Sequence, residues 1–241
     1  MNSPNGLDKC LTFIHCQLQP PLRSGAGEHG AVNRYCAITI SRQTGSGGHT
    51  VAQKLADYLQ VQQPAGSRPW MVFDRNLVEK VLEDHNLPAR LAKFMPEDRI
   101  SQVSDTMDEL FGLHPPSWIL VRKTSETILH LAQLGHVIVI GRGANVITRK
   151  LPHLLHVRLV GSLEIRVKRL QELGGLDHRE ALRVAEREDR ARARYVKQFF
   201  DKNIDDPLLY HMVINTDLIS SDEAARMIAL ALEPKAVAMA A

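Results

Sequence analysis

Cysteine is scarce in this chain of 241 residues, and so are aromatics: three cysteines and 5% Phe, Trp and Tyr. An odd number of thiols (Cys10, Cys16 and Cys36), with no ligand-like spacing, argues against a disulfide framework and against a structural zinc site. Cys36 opens an apolar run and reads as a small core residue. So few aromatics leave no stacking platform for RNA. No apolar run approaches the ~18–20 residues that span a membrane. The stretch MNSPNGLDKCLTFIHC carries neither the basic start nor the small-residue cleavage site of a secretion signal. Large net charge is missing too, and +3 does not by itself imply a polyanionic partner. The expectation is a cytoplasmic protein that contacts neither membrane nor nucleic acid.

What remains is ordinary for a globular α/β protein: 44% hydrophobic and 24% charged residues. Residues 1–34, rich in Pro, Gly and polar side chains around QLQPPLRSGAGEHGAVN, read as a flexible appendage. Residues 35–235 read as one domain. Short, β-branched apolar runs recur at CAITIS (36–41), PWMVFD (69–74), HVIVIG (136–141), HVRLVG (156–161) and MVINT (212–216), as expected of buried parallel strands. Helical spacing falls between them, in TVAQKLADYL (50–59), from Asn76 to Leu87-Pro88, in two helices across 97–134 broken near GLHPPS, and at 162–173, 177–199 and 221–232. Alternation of this kind predicts a parallel sheet with helices on both faces.

Between the first strand and its helix lies TGSGGHT. Glycines let a backbone curl with its N–H groups inward, and the helix that follows adds a positive end. Thr44, Gly45, Ser46, Gly47, Gly48, His49 and Thr50 therefore form a candidate phosphate loop. The common pattern is G-x-x-x-x-G-K-[ST]. Aligned on Gly47, this chain has Arg42 for the first glycine, Gly48 for the lysine and His49 for the metal-binding hydroxyl. Arg42 leaves the strand straight into the loop and is the candidate to replace the lysine, since a guanidinium grips phosphate oxygens bidentately; the alternative is a solvated loop charge.

Ligands in open α/β sheets bind beyond the carboxyl ends of the strands. That places Arg142 and Gly143, after the strand at 136–141, and Asp74, after the second strand, at the site. Arg142 either meets phosphate or braces a helix start. Asp74 faces the acceptor or a metal-bound water, or caps the helix near Asn76. In AEREDRARARYVKQ, Arg179, Arg183 and Arg187 step by four along one helical face, Arg190 and Arg194 continue near it, and Arg192 points elsewhere. A solvated helix laced with i,i+4 ion pairs is the plain alternative. Phe94, Met107, Leu110, Phe111 and Trp118 read as core, and Arg99, Arg122 and Lys123 as surface charges within reach of an acceptor.

ITISRQTGSGG (38–48) resembles the opening I-T-I-S-R-[EQ]-x-G-S-G-G of the cytidylate kinase-like family, a branch of the P-loop nucleoside monophosphate kinases. Phe73-Asp74-Arg75 is similar to its Y-D-[RK], VIGRGAN (139–145) to its V-I-x-G-R-G-A-N, and DRARARY (189–195) to its D-K-x-R-A-R-Y. Asp206-Pro207, Tyr210 and VINT resemble D-P-x-x-Y-D-L-V-I-N-T, with His211 in the place of the second aspartate. The resemblance covers about residues 36–232 and makes the missing lysine a family trait. It implies a P-loop NTPase core with a helical acceptor-side insertion (about 88–134) and a basic lid (about 177–205). It also implies ATP with Mg2+ as donor and a nucleotide acceptor, CMP or dCMP. Arg187, Arg190, Arg192 and, less directly, Arg194 become the lid cations that stabilise charge during transfer. In cytidylate kinases the G-R-D turn supplies an arginine and an aspartate to the acceptor; here Arg142 carries over and Gly143 stands for the aspartate. Two alternatives stand beside this: a nucleotide-binding regulatory protein of the same fold, and a kinase for another small metabolite. The metal ligands are not legible.

Overall fold

In the central strands, alternate residues are buried on opposite sides. Ile38, Ile40, Ile138, Ile140, Leu155, Val157 and Leu159 enter one apolar cluster, while Ala37, Val137, Val139 and Leu154 enter another. A period of two with both faces apolar is what a sheet covered twice requires. The computed structural model describes residues 13, 37–63, 67–74, 76–78, 106–107 and 118–232. Five parallel strands, β1 (Ala37–Arg42), β2 (Met71–Phe73), β3 (Val137–Ile140), β4 (Leu154–Val160) and β5 (Met212–Asn215), lie in the order β2-β3-β1-β4-β5. Thr39 of β1 is in register with Val139 on one side and His156 on the other.

Helices α1 (Gly48–Gln62) and α6 (Ser221–Leu232) cover the first face, through Val51, Leu55, Ala224 and Ile228. Helices α2 (Ile119–Leu134) and α3 (Ala144–Ile147) cover the second, through Ile128, Leu131, Ala144 and Ile147. Phe13, 3% exposed, joins the second cluster edge-on to Phe73. This is an α/β P-loop fold. The strands and helices expected from periodicity are present wherever they fall on described residues. Cys10, Cys16, Cys36, Phe94, Arg99, Leu110 and Phe111, the appendage apart from Phe13, and the first helix of 97–134 apart from Thr106 and Met107 lie outside them. Met107 is buried, Trp118 packs on Phe199, and Arg122 and Lys123 are exposed on α2.

Helix α4 (Leu163–Gly174) starts where Ser162 accepts from the Ile165 N–H, and α5 (His178–Phe200) at a reciprocal capping box between Asp177 and Glu180. Long as it is, α5 buries only Ala181, Ala185 and Val196. Apolar packing holds its ends, against Val167 and Leu170 at one and Val146 and Ile204 at the other. Between them the helix depends on polar contacts. Among the described residues, no helix is long and apolar enough to cross a membrane.

Candidate active site

The loop after β1 takes its shape from two left-handed glycines, Gly45 at φ 81° and Gly47 at φ 79°. Gly45 is also pressed against α4: a Cβ there would stand 2.4 Å from the Arg166 carbonyl oxygen. Gln43 braces the loop from beneath. Its carbonyl accepts from the buried Ser46 hydroxyl at 2.8 Å, and its side-chain oxygen accepts from the Gly161 N–H at 3.0 Å. Helix α1 therefore begins at the loop, with no side-chain cap and no acidic residue in its first turn. Its leading N–H groups and dipole are left for an anion.

Gly48, where a lysine is usual, is filled from the neighbouring strand. A Cβ at 48 would lie 2.9 Å from Arg42 Cγ, and one at Gly141 would lie 2.0 Å from Arg42 Nη1. The arginine stem thus crosses the start of α1, and its guanidinium reaches the end of β3. Desolvation holds the Arg42 pKa down to about 10, and the neighbouring Arg192 and Arg142 push the same way against Asp74 and Glu188. A cation desolvated among cations is poised for an anion. Returning a lysine by Gly48→Lys is expected to expel Arg42, lowering stability by about 1–3 kcal/mol and weakening ATP binding. Thermal melts and equilibrium titration measure both; a variant as stable as wild type with unweakened ATP binding would show that the two cations do not compete for the space.

β3 ends in three consecutive left-handed residues, Gly141 (φ 79°), Arg142 (φ 55°) and Gly143 (φ 68°). The turn aims Arg142 into a cleft of about 240 Å³ between the sheet and α5, lined also by Ser41, Arg42, Asn145, Glu188, Arg192 and Tyr195. Gly143 is fixed by packing as well as by φ, because a Cβ there would stand 2.7 Å from the Phe200 ring. That gives a steric reason for the departure from G-R-D. Asp74 takes the capping role open to it in the sequence. Its Oδ1 accepts from the Leu77 N–H at 2.8 Å, capping a helix start, while Oδ2 faces His49 Nε2 of the loop at 3.8 Å.

The structure divides the lid arginines. Arg187 and Arg190 have side chains 70% and 68% exposed and pair with Glu188 and Glu186. Arg194 is exposed as well. These positions do not reach the cleft. Arg192, off the stripe, does: its side chain is 25% exposed and its Nη1 donates to Asp189 Oδ1 at 3.1 Å and to the Thr44 hydroxyl.

Sequence reasoning assigned no role to Asp189, the junction between lid and loop. Its Oδ1 also accepts from the Thr44 N–H at 2.7 Å and the Thr44 hydroxyl at 2.8 Å, and its Oδ2 accepts from Arg166 Nη1 at 2.7 Å. Arg166 in turn donates to the Thr44 carbonyl at 2.9 Å. A buried arginine at a core-facing position of α4 was the available signal. Arg158 went unread too: buried in β4, it donates to the Ser41 hydroxyl at 2.9 Å and to Asp205, beyond the end of α5. Among the described residues, no three His, Cys, Asp or Glu side chains are grouped to hold a metal ion. Mg2+ bound mainly through nucleotide phosphates needs no such cage.

The fold agrees with what the chain is similar to. It is 24% identical over 205 residues to the cytidylate kinase of Methanopyrus kandleri, covering 82% of this chain and 93% of that one. An uncharacterized protein from Eubacterium ventriosum superposes with a TM-score of 0.55 at 21% identity, over 81% of this chain and 97% of that one. A shikimate kinase from Bacteroides thetaiotaomicron aligns more loosely, with a TM-score of 0.44 at 15% identity over 81% and 97%. Residues 37–218 match the cytidylate kinase-like family, and the chain belongs to it.

Proposed function

We propose that this protein is an ATP-dependent phosphotransferase that moves the γ-phosphate of ATP to a nucleoside monophosphate, CMP or dCMP. The observation that carries the reading is the path of Arg42, across Gly48 to Gly141, which returns a cation to the phosphate loop. Each part then has a task. The amides of Gly45 to Thr50 and the start of α1 cradle the donor phosphates. Arg42 stands between loop and cleft, where charge is shared during transfer. Arg142 and Arg192 hold the acceptor phosphate, while Arg187 and Arg190 remain cations that a further closure of α5 would bring inward. Mg2+ bound with ATP would offset phosphate charge, and Asp74 would hold one of its waters. No covalent intermediate is required; positioning and positive charge carry the chemistry.

The test is ADP formation from Mg-ATP by the purified chain with CMP, dCMP, UMP, AMP, GMP or no acceptor. Acceptor-dependent turnover, fastest with CMP or dCMP, is expected. ATP binding without turnover on any of these acceptors would favour a regulatory nucleotide-binding role. One observation leans that way: the Asp189 carboxylate already occupies the Thr44 amide and hydroxyl. Turnover with a metabolite outside the nucleotides would redirect the acceptor assignment alone.

A further inference from the structure

We propose that a second cleft, at the amino ends of β4 and β5, binds a small organic oxyanion and that its occupant acts as an effector of the phosphate loop. Ligands in open α/β sheets use the carboxyl ends of the strands, and this cleft lies at the other end. β4 alone, seven residues long, sets the two ends apart by roughly 20 Å.

The cleft has a volume of about 430 Å³, within the ~300–1,000 Å³ of small-molecule sites. Arg149, His153, His156 and His211 line it, and no aspartate or glutamate does. Leucine and proline make up half of the lining residues, so an anion carried on an apolar body fits better than a bare ion. Arg149 is exposed and stands close enough to His156 to depress its pKa. His153, at the turn before β4, holds a left-handed backbone with φ 64°. That conformation is costly for a residue with a side chain, and such positions gather at ligand sites.

His211 stands where the resembling motif has its second aspartate. Its Nδ1 accepts from the His156 N–H at 3.0 Å, and its ring centroid lies 5.1 Å from that of His156. An aspartate could accept from the same N–H, so capping the strand does not require histidine. What changes is the charge presented to the cleft. With Nδ1 accepting, the neutral ring carries its proton on Nε2, a donor where an aspartate would repel an anion. A phosphate monoester and a carboxylate share the chemistry that such a lining recognises.

Two lines of contact run from this cleft toward the catalytic one. His156 Nδ1 is 2.8 Å from Thr39 Oγ1, and two residues further along the same face Arg158 donates to Ser41. Thr39 with His156 and Ser41 with Arg158 are register partners of β1 and β4. Tyr210 also lines the second cleft; its hydroxyl is 3.3 Å from Ser41 Oγ, and Arg158 lies 5.6 Å from its ring centroid. Ser41 lines the catalytic cleft and immediately precedes Arg42. An occupant that moves His156 or Tyr210 therefore acts on the residue that carries Arg42. This effector role rests on the reading of the loop as an ATP site; the binding of an oxyanion does not.

The experiment follows the histidine ring protons of the full chain by NMR as phenyl phosphate, benzoate or inorganic phosphate is added, with and without ATP. Single histidine substitutions assign the signals. His49 reports the phosphate loop, and His153 and His211 report the second cleft. Phenyl phosphate or benzoate is expected to shift His153 and His211 saturably and more tightly than inorganic phosphate; the tighter of the two tells phosphate ester from carboxylate. Arg149→Ala should weaken that binding by roughly tenfold. His211→Asp, followed at His153, should weaken it further while keeping an acceptor for the His156 N–H. Melting temperatures verify that both variants are folded. Absence of a saturable shift at His153 and His211 with every probe would overturn the proposal, as would unchanged affinity in both variants. ATP affinity read at His49 should change severalfold when the cleft is filled, since coupling between sites is reciprocal; an unchanged value would overturn the effector role. ATP that fails to shift His49 would defeat the ATP reading and leave the oxyanion site standing.

Discussion

Arg42→Ala should lower kcat for phosphoryl transfer by about 10²–10³-fold without loosening the fold. Both halves follow from the same geometry. The guanidinium lies between the phosphate loop and the end of β3, with Arg142 and Arg192 near enough to depress its pKa. A transition state that spreads negative charge over the migrating phosphoryl group is stabilised most by a cation already desolvated and aimed. Holding that cation without a ligand costs stability, because burial and like charge oppose it. Its removal relieves both, so the melting temperature of Arg42→Ala should equal or exceed that of wild type. Arg42→Lys separates charge from shape. Its shorter stem and single ammonium should recover only part of the rate, since bidentate grip is lost. Steady-state kinetics on the three proteins, with melting curves, decide the matter. An unchanged kcat in Arg42→Ala would remove Arg42 from the mechanism, and a collapsed melt would make it a structural brace.

The lid gives a second, smaller expectation. Asp189 collects two donors from Thr44 and one each from Arg166 and Arg192. Asp189→Ala leaves two guanidinium groups without their acceptor and frees the middle of α5, which has no buried apolar residue between Ala185 and Val196. Proteolysis within α5 should become faster in the variant, and ATP should restore less of the protection. Equal cleavage rates in wild type and variant would show that the apolar ends of the helix suffice to hold it.

Strands and helices were legible because two buried faces impose a strict period on β1, β3 and β4 and an apolar stripe on the helices. The phosphate loop was legible because glycine clustering between strand and helix has few other uses. The arginines of α5 show where such reading stops. Spacing by four does find a face, but charged residues do not say which face is inward. The few apolar ones do: Ala181, Ala185 and Val196 mark the buried stripe, and Glu188, Asp189 and Arg192 fall along it by helical geometry. The conspicuous stripe of Arg179, Arg183 and Arg187 is the solvent side. The fate of Gly48 could not be read locally at all, since its space is filled by a side chain from the preceding strand and bounded by Gly141, which is remote in sequence.

Acid should destabilise this protein well before its carboxylates titrate. His130 and His156 are 3% and 5% exposed, and burial lowers both pKa values from 6.5 to about 4, with His211 and Arg149 adding to the effect at His156. His136 is shifted in the same direction, by burial first and Arg68 second. The folded pKa lies below the unfolded one, so between those values the unfolded chain binds more protons. Stability is therefore complete above about pH 6.5, falls as the pH drops toward about 4, and loses nothing more from these groups below that. Each of the first two histidines contributes a slope of up to ~1.4 kcal/mol per pH unit and about 3 kcal/mol across the window. The carboxyls of Asp217, Asp222 and Glu223 are also depressed, by hydrogen bonds from Ser162, Lys54 and Ser220, so their stabilisation is likewise lost on acidification, but only as the pH falls below their ordinary values of 3.8, 3.8 and 4.5. His130 isolates the effect, because burial is its one cause and its Nδ1 has no hydrogen-bond partner. His130→Leu keeps the volume, removes the orphaned nitrogen and removes the proton site. Urea unfolding at about pH 5 and about pH 7.5 should show wild type losing several kcal/mol between the two. The variant should lose less by roughly 1.4 kcal/mol per pH unit and be at least as stable at the higher pH. Equal losses in wild type and variant would mean that His130 is protonated in the folded protein, and that α2 opens there to admit water.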